Sequence, residues 1–262
     1  MRNAFLIAAN TFRETLGQKL MLITALVALA LVLSSKYLLS LDLGHEQLKF
    51  VFDFGSGALG FFGSIMAVVA TCQIFHSEME NKTVITLLSK PVGIAQFTVG
   101  KFLGAAAALG LFTLAVAAAT SLMLAITRAG FAESQTADAP QINYVGVWLF
   151  AVAQWIKLCT VAAVSVFVCS VSTSLLFSAS VSFMALAVSM AGEITLNLGG
   201  KTGGVVGVAA RLFPDLHIFG ALESFAFAPA DAAVFAAAAG YGTVYCAAAL
   251  AAAAFAFSRR EF

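Results

Sequence analysis

Six long apolar runs constrain this chain more than anything else in it. They cover about residues 20–39, 54–75, 94–127, a stretch within 144–171, 175–196 and 231–257. Each approaches or exceeds the roughly 20 apolar residues that carry a helix across a hydrocarbon layer about 30 Å thick. Backbone groups left unpaired in lipid are so costly that only helices or a closed barrel can span it. A barrel needs strands that alternate apolar and polar residues, whereas these runs are continuous and rich in Ala, Leu, Val and Phe. Helices are therefore expected, in an all-α integral membrane protein with one transmembrane domain over 1–262 and six spans. A 61% hydrophobic content and a mean hydropathy of +0.97 agree, since soluble domains hold about 45–50% apolar residues.

The segments between the runs differ in kind. Within residues 1–19, Phe5, Ala9, Phe12 and Leu16 share one helical face, and Arg13, Glu14 and Lys19 lie off it. That pattern predicts an amphipathic helix lying in the membrane interface, retained rather than cleaved. Lys36, near the end of the first span, is placed to snorkel outward. The third run exceeds thirty residues, about 50 Å of helix, so part of it projects from the bilayer. Residues 128–143 read as a polar loop. Residues 197–230 are too polar and too punctuated by glycine to span, and read as an outer loop with short interfacial helices. In that loop Leu212, Phe213, Leu216, Phe219 and Leu222 have helical spacing.

A cytoplasmic N-terminus with six spans puts Arg2, Arg13, Lys19, Lys82, Lys90, Lys101, Arg259 and Arg260 inside. It leaves Lys36, Lys49, Arg128, Lys201 and Arg211 outside, and this bias agrees with the positive-inside rule. The net charge of +1 gives no field for nucleic acid. Cys72, Cys159, Cys169 and Cys246 sit in apolar runs without a C-x-x-C pair, so they read as small buried hydrophobes.

One short segment breaks the apolar character early: HSEMENKTVITLLSKP, residues 76–91. Ser77 followed by Glu80 has the spacing of a capping box, which starts a helix. Glu78 and Lys82 add a favourable i, i+4 pair. Val84, Leu87 and Leu88 form an apolar stripe too short to enter the bilayer, and Pro91 disfavours helix at Lys90. The reading is a short helix over 77–90 on the inner surface, between the second and third spans.

Glu80, Thr83, Leu87, Leu88, Ser89, Lys90 and Pro91, with Gly100 and Lys101 opening the third span, resemble the coupling region of type-2 ABC exporter permeases. That group includes permeases of copper-enzyme maturation and gliding motility. The resemblance extends to the N-terminal interfacial helix, the six spans, the long outer loop with Pro214-Asp215-Leu216 and the basic C-terminus. It implies a bacterial inner-membrane permease subunit with both termini cytoplasmic, itself no enzyme and binding no cofactor. The implied partners are a separate ATP-binding subunit, which holds ATP and Mg, a second permease copy or paralogue, and membrane lipid. The short helix would sit in a cleft of the ATPase, with Leu87 and Leu88 as anchors and Glu78, Glu80 and Lys82 fixing register. Gly100, Lys101 and Gly104 would give it a closely packed exit. The rival reading is a non-transporting scaffold that docks a cytosolic protein through residues 77–90.

Other constellations are weaker. Gly200-Lys201-Thr202 lacks the earlier glycine of a phosphate loop, because Thr195 stands there. His76 and Glu80 share a helical face but have no third metal ligand. Lys157 is the conspicuous charge inside a span, and at mid-membrane it would cost about 2.5–3.5 kcal/mol unless it faced water or protein. Two placements stay open: near the outer surface beside Trp148 and Trp155, or on a translocation path paired with Glu193.

Overall fold

The computed structural model describes residues 2–39, 47–80, 93–133, 142–190 and 213–259. Among them there is no strand. The elements are α1 (Arg2–Leu16), α2 (Lys19–Leu39), α3 (Gln47–Glu80), α4 (Ile94–Glu133), α5 (Tyr144–Val171), α6 (Leu175–Met190), a 3-10 helix (His217–Ala226) and α7 (Ala232–Ser258). Five of these, α2, α3, α4, α5 and α7, are long and apolar enough to cross a membrane. The sixth expected span has 16 described residues in α6, also apolar; the rest of its run, 191–196, lies outside the described residues.

α3 and α5 form the centre. Two-thirds of their apolar windows (67% each) are buried, against 22% for α2 and 17% for α7. α5 packs against α3, α4, α6, α7 and the 3-10 helix, while α2 lies on α3 and α4. Exposed faces carry Leu22, Ile23, Leu26, Leu114, Val244 and Phe255, the surface expected where the solvent is lipid.

Buried threonines and serines let the polar content of these helices sit in an apolar interior. The hydroxyls of Thr113, Thr120, Thr160 and Ser165 donate to the carbonyl one turn earlier, at 2.8–3.0 Å. Each hydroxyl thus satisfies itself within its own helix. Trp155 instead reaches across, its Nε1 donating to the Ala106 carbonyl of α4 at 2.9 Å.

Two expectations need correction. The expected start of a helix at Ser77 is replaced by continuous helix from Gln47 to Glu80, with Ser77 to Glu80 as its last turn. The Ser77 hydroxyl donates to the Ile74 carbonyl at 3.2 Å and to Glu14 Oε1 of α1 at 3.4 Å, inside the helix and not at its start. The presumed polar loop from Arg128 begins later, since Arg128 to Glu133 continue α4 to its full 40 residues, about 60 Å.

In α1 the Phe5–Ala9–Phe12–Leu16 stripe is exposed at Phe5 and Ala9 and partly buried at Phe12 and Leu16. Thr11 and Thr15 are buried, Phe12 and Leu16 are partly buried, and Phe5 and Leu6 are 74% and 61% exposed. In lipid the apolar side chains of a bundle helix can face outward, and small residues let backbones approach.

In the segment before α7, Leu216, Phe219, Leu222 and Phe225 are buried at a strict spacing of three. That is the period of a 3-10 helix, in which i and i+3 eclipse, and residues 217–226 adopt it rather than an α-helix.

Candidate functional site

The chain order puts two sets of helix termini at opposite ends of the bundle, and each end carries a polar constellation. At the first end lie the C-terminus of α3 and the N-terminus of α4, which flank residues 81–92. Lys82, Thr83, Val84, Leu87, Leu88, Ser89, Lys90 and Pro91 are outside the described residues. Glu78 and Glu80 occupy the last turn of α3.

Three helices are fastened together beside that turn. Lys101 of α4 is 2% exposed, and its Nζ donates to the Ile74 carbonyl of α3 at 3.1 Å. The ammonium also lies 5.6 Å from the centroid of the Phe97 ring, within range of a cation–π attraction. Gly100 is buried one residue earlier.

One turn from Gly100, Gly104 meets α1. A Cβ there would stand 2.6 Å from the Ala8 carbonyl oxygen and 2.6 Å from Thr11 Cβ. The close approach therefore requires glycine. The Ser77–Glu14 contact ties α1 to α3 as well. His76 of α3, 2% exposed, shares a 2.8 Å hydrogen bond with Ser178 of α6. Nearby, Cys72 of α3 and Cys169 of α5 bring their sulfurs to 3.5 Å as free thiols. Thus α1, α3, α4, α5 and α6 are linked by polar or close contacts at this end.

The second constellation opens toward the opposite end and has Lys157 at its base. This lysine lies 13 residues inside α5, about 20 Å along the helix, and is 7% exposed. Its expected partner Glu193 lies outside the described residues. The acid found near it is Glu223 of the 3-10 helix, with which it interacts electrostatically.

Together Lys157 and Glu223 line a cleft of about 530 Å3 with Lys49, Asp53, Ser56, Gly57, Gly60 and Phe61 of α3, Gln154 of α5 and Met190 of α6. Partial burial, reinforced by the Asp53 carboxylate, raises the pKa of Glu223, and Lys157 opposes the rise. Gln154 is 3% exposed, and its Oε1 has no hydrogen-bond partner among the described residues.

The 3-10 helix that brings Glu223 into place is pinned by neighbouring elements. Asn143 caps α5, its Oδ1 accepting from the Gly146 N–H at 3.2 Å, while its own N–H donates to the Ala226 carbonyl at 2.9 Å. Gly146 lies directly under the Phe225 carbonyl, where a Cβ would collide. The Leu216 N–H donates to the Ser189 carbonyl of α6 at 3.2 Å, and the Asp215 N–H to the Tyr241 hydroxyl of α7 at 2.8 Å. Phe219 reaches Gly242 of α7.

Lys49, Asp53, Gln154 and Glu223 escaped the reading of the sequence. They come from three elements, and only the i, i+4 spacing of Lys49 and Asp53 and the i, i+3 spacing of Gln154 and Lys157 are visible locally. Among the described residues no group of three His, Cys, Asp or Glu side chains could hold a metal ion.

A membrane-spanning helical bundle with a long polar-ended α3–α4 pair and a capped vestibule at its opposite end defines a polytopic membrane protein. A family model described as ABC-2 family transporter protein matches residues 4–262. The chain belongs to that family of transporter permeases, and the match covers nearly its whole length. Comparison with curated proteins returns no match.

Proposed function

We propose that the chain is the permease subunit of an ATP-driven exporter, coupled to a separate ATP-binding subunit through residues 77–90. The family match over 4–262 carries this reading. The physical support is the α3–α4 junction. A segment that transmits force must leave from a stiff base, or the force is lost in bending. Here the base is Lys101 bonded to Ile74, Ser77 to Glu14, and Gly104 pressed on α1. The last turn of α3 is the first part of the lever, and Leu87 and Leu88 are its anchors in the partner.

The same reading puts the α3–α4 junction and both termini in the cytoplasm, six spans in a bacterial inner membrane, and a second permease copy or paralogue beside the first. The vestibule at Lys157 then lies toward the outer face, with the 3-10 helix as its cap. Co-expression with an ATP-binding subunit tests the proposal. Leu87→Asp with Leu88→Asp abolishes co-purification and transport-coupled hydrolysis while leaving the permease in the membrane. Intact coupling in that variant overturns the docking role.

A further inference from the structure

The cleft at Lys157 has the chemistry and shape of a binding site for an amphiphile. Its α3 wall is one helical stripe: Lys49, Asp53, Ser56, Gly57, Gly60 and Phe61 stand at offsets of 4, 7, 8, 11 and 12 from the first. That stripe is about 18 Å long, against about 15 Å for the hydrocarbon of one leaflet. It changes character along its length, charged at Lys49 and Asp53 and apolar at Phe61.

Gly57 and Gly60 leave the middle of the stripe without side chains. A Cβ at either would meet nothing within 4 Å, so open space lies above both. Phe61 is 64% exposed and Met190 49% exposed, which leaves the apolar end open sideways to lipid.

Among the polar side chains Lys49, Asp53 and Glu223 are exposed at the mouth, and Lys157 and Gln154 lie behind them. Lys157 and Gln154 are more than nine-tenths buried, and the unpartnered Gln154 Oε1 calls for an N–H or O–H donor. Two cations, Lys49 and Lys157, stand with two anions, Asp53 and Glu223. A cleft with two charges of each sign complements an electroneutral ligand with separated charges better than a net anion or cation, which would oppose two of them.

We propose that this cleft binds one molecule of a zwitterionic, amine-bearing membrane lipid. Its ammonium lies toward Asp53 and Glu223 and donates to Gln154 Oε1, its phosphate lies toward Lys157, and one acyl chain runs over Gly57 and Gly60 to Phe61. In the proposed exporter this lipid, or an amphiphile of the same chemistry, is the cargo class the vestibule selects. That last step rests on the permease reading; the binding site itself needs no ATP-binding partner. A failure to bind lipid therefore leaves the coupling proposal standing, and a failure of coupling leaves the lipid site standing.

The test uses the purified full chain in maltoside detergent, titrated with dioleoyl phosphatidylethanolamine, dioleoyl phosphatidylglycerol or soluble glycerophosphoethanolamine. Bound lipid is counted by native mass spectrometry and followed by the thermal midpoint. One phosphatidylethanolamine per chain is expected, held at least tenfold more tightly than phosphatidylglycerol, with no binding of the tail-less headgroup.

Gly57→Leu with Gly60→Leu fills the groove where there is room for the new side chains, so the fold survives and retention falls at least tenfold. Gln154→Leu lowers retention of phosphatidylethanolamine severalfold without touching the groove. Unchanged retention in the double glycine variant overturns the proposal. So does equal binding of phosphatidylglycerol, or binding of the soluble headgroup as tight as that of the lipid, which would mark a site for a free zwitterion.

Discussion

Replacing Gly104 by alanine tests whether α1 is part of the bundle or only rests beside it. The new Cβ would lie 2.6 Å from the Ala8 carbonyl oxygen, 2.6 Å from Thr11 Cβ and 2.9 Å from Thr11 Cγ2. Optimal carbon contacts are about 3.5–4.0 Å, so α1 has to lift by about 1 Å. The obstacles are a backbone oxygen and the stem of a β-branched side chain, neither of which can swing aside. Overpacking of this kind costs about 1–3 kcal/mol.

Alanine also gains about 1 kcal/mol over glycine in helix propensity, which would mask part of the loss. Gly60→Ala supplies the reference, because its Cβ meets nothing within 4 Å and only the propensity gain remains. The difference between the two variants isolates the overpacking cost. Detergent-solubilised protein unfolded by heat or by sodium dodecyl sulfate should therefore show Gly104→Ala below Gly60→Ala by about 1–3 kcal/mol.

A second readout locates the damage. Thr11 is 1% exposed, so a Thr11→Cys thiol is shielded from maleimide and becomes reactive when Gly104→Ala is added. Equal stability of the two alanine variants, with Thr11→Cys still shielded, would refute the close contact between α1 and α4.

Three further outcomes follow from particular contacts. Asn143→Ala removes both the cap on α5 and the amide contact to Ala228, so it should cost about 1 kcal/mol and speed proteolysis between 227 and 230, read by limited digestion. Glu223 has a raised folded pKa, so its contribution to stability is complete below the unfolded value near 4.5 and is lost as pH rises through the higher folded value. The thermal midpoint of the wild type minus that of Glu223→Gln should accordingly fall across that window and level off above it, and Asp53→Asn should narrow the window. Cys72 and Cys169, with sulfurs 3.5 Å apart, should give up two protons and two electrons to copper phenanthroline and cross-link α3 to α5, seen as a joined peptide on mapping; an unlinked pair of free thiols would contradict their proximity.

The spans were legible because a long apolar run has few ways to satisfy its backbone in lipid. α2, α5 and α7 begin and end close to the limits of those runs. Where a run met polar residues, helical hydrogen bonding carried on past the change in composition: Ser77–Glu80 extends α3 and Arg128–Glu133 extends α4. Ser77 looked like a cap because the same side chain that caps a helix can also donate to a carbonyl inside one.

The sequence marked α1 as amphipathic and interfacial but did not say which of its residues pack on the bundle. Thr11 and Thr15 turn inward while Phe5 and Leu6 face out, and local periodicity cannot decide this when the solvent is itself apolar. In the segment before α7 the helical spacing was present in the sequence, and the helix it forms is a ten-residue 3-10 helix, an uncommon length for that form.

The two polar ends differed in how much the sequence disclosed. Gly100, Lys101 and Gly104 lie within five residues of one another, so a local motif exposed them, although their partners Ile74, Ala8 and Thr11 did not follow from it. The cleft was out of reach except for Lys157. Its other charged residues come from positions 49, 53 and 223; Lys49 and Asp53 share a turn of α3, but only tertiary contacts bring them to Lys157 and Glu223.

Coupling through residues 77–90 requires that the α3–α4 end of the bundle, and not the cap, meet the ATP-binding subunit. Single cysteines at Glu80 at the end of α3, at Leu88 and at Glu223 in the cap, each in the co-expressed complex, can be joined to that subunit with a short thiol cross-linker. Adducts from positions 80 and 88 whose yield changes on adding ATP, with none from 223, are the predicted result. Adducts from position 223, or none from positions 80 and 88 in a complex that still co-purifies, would contradict it.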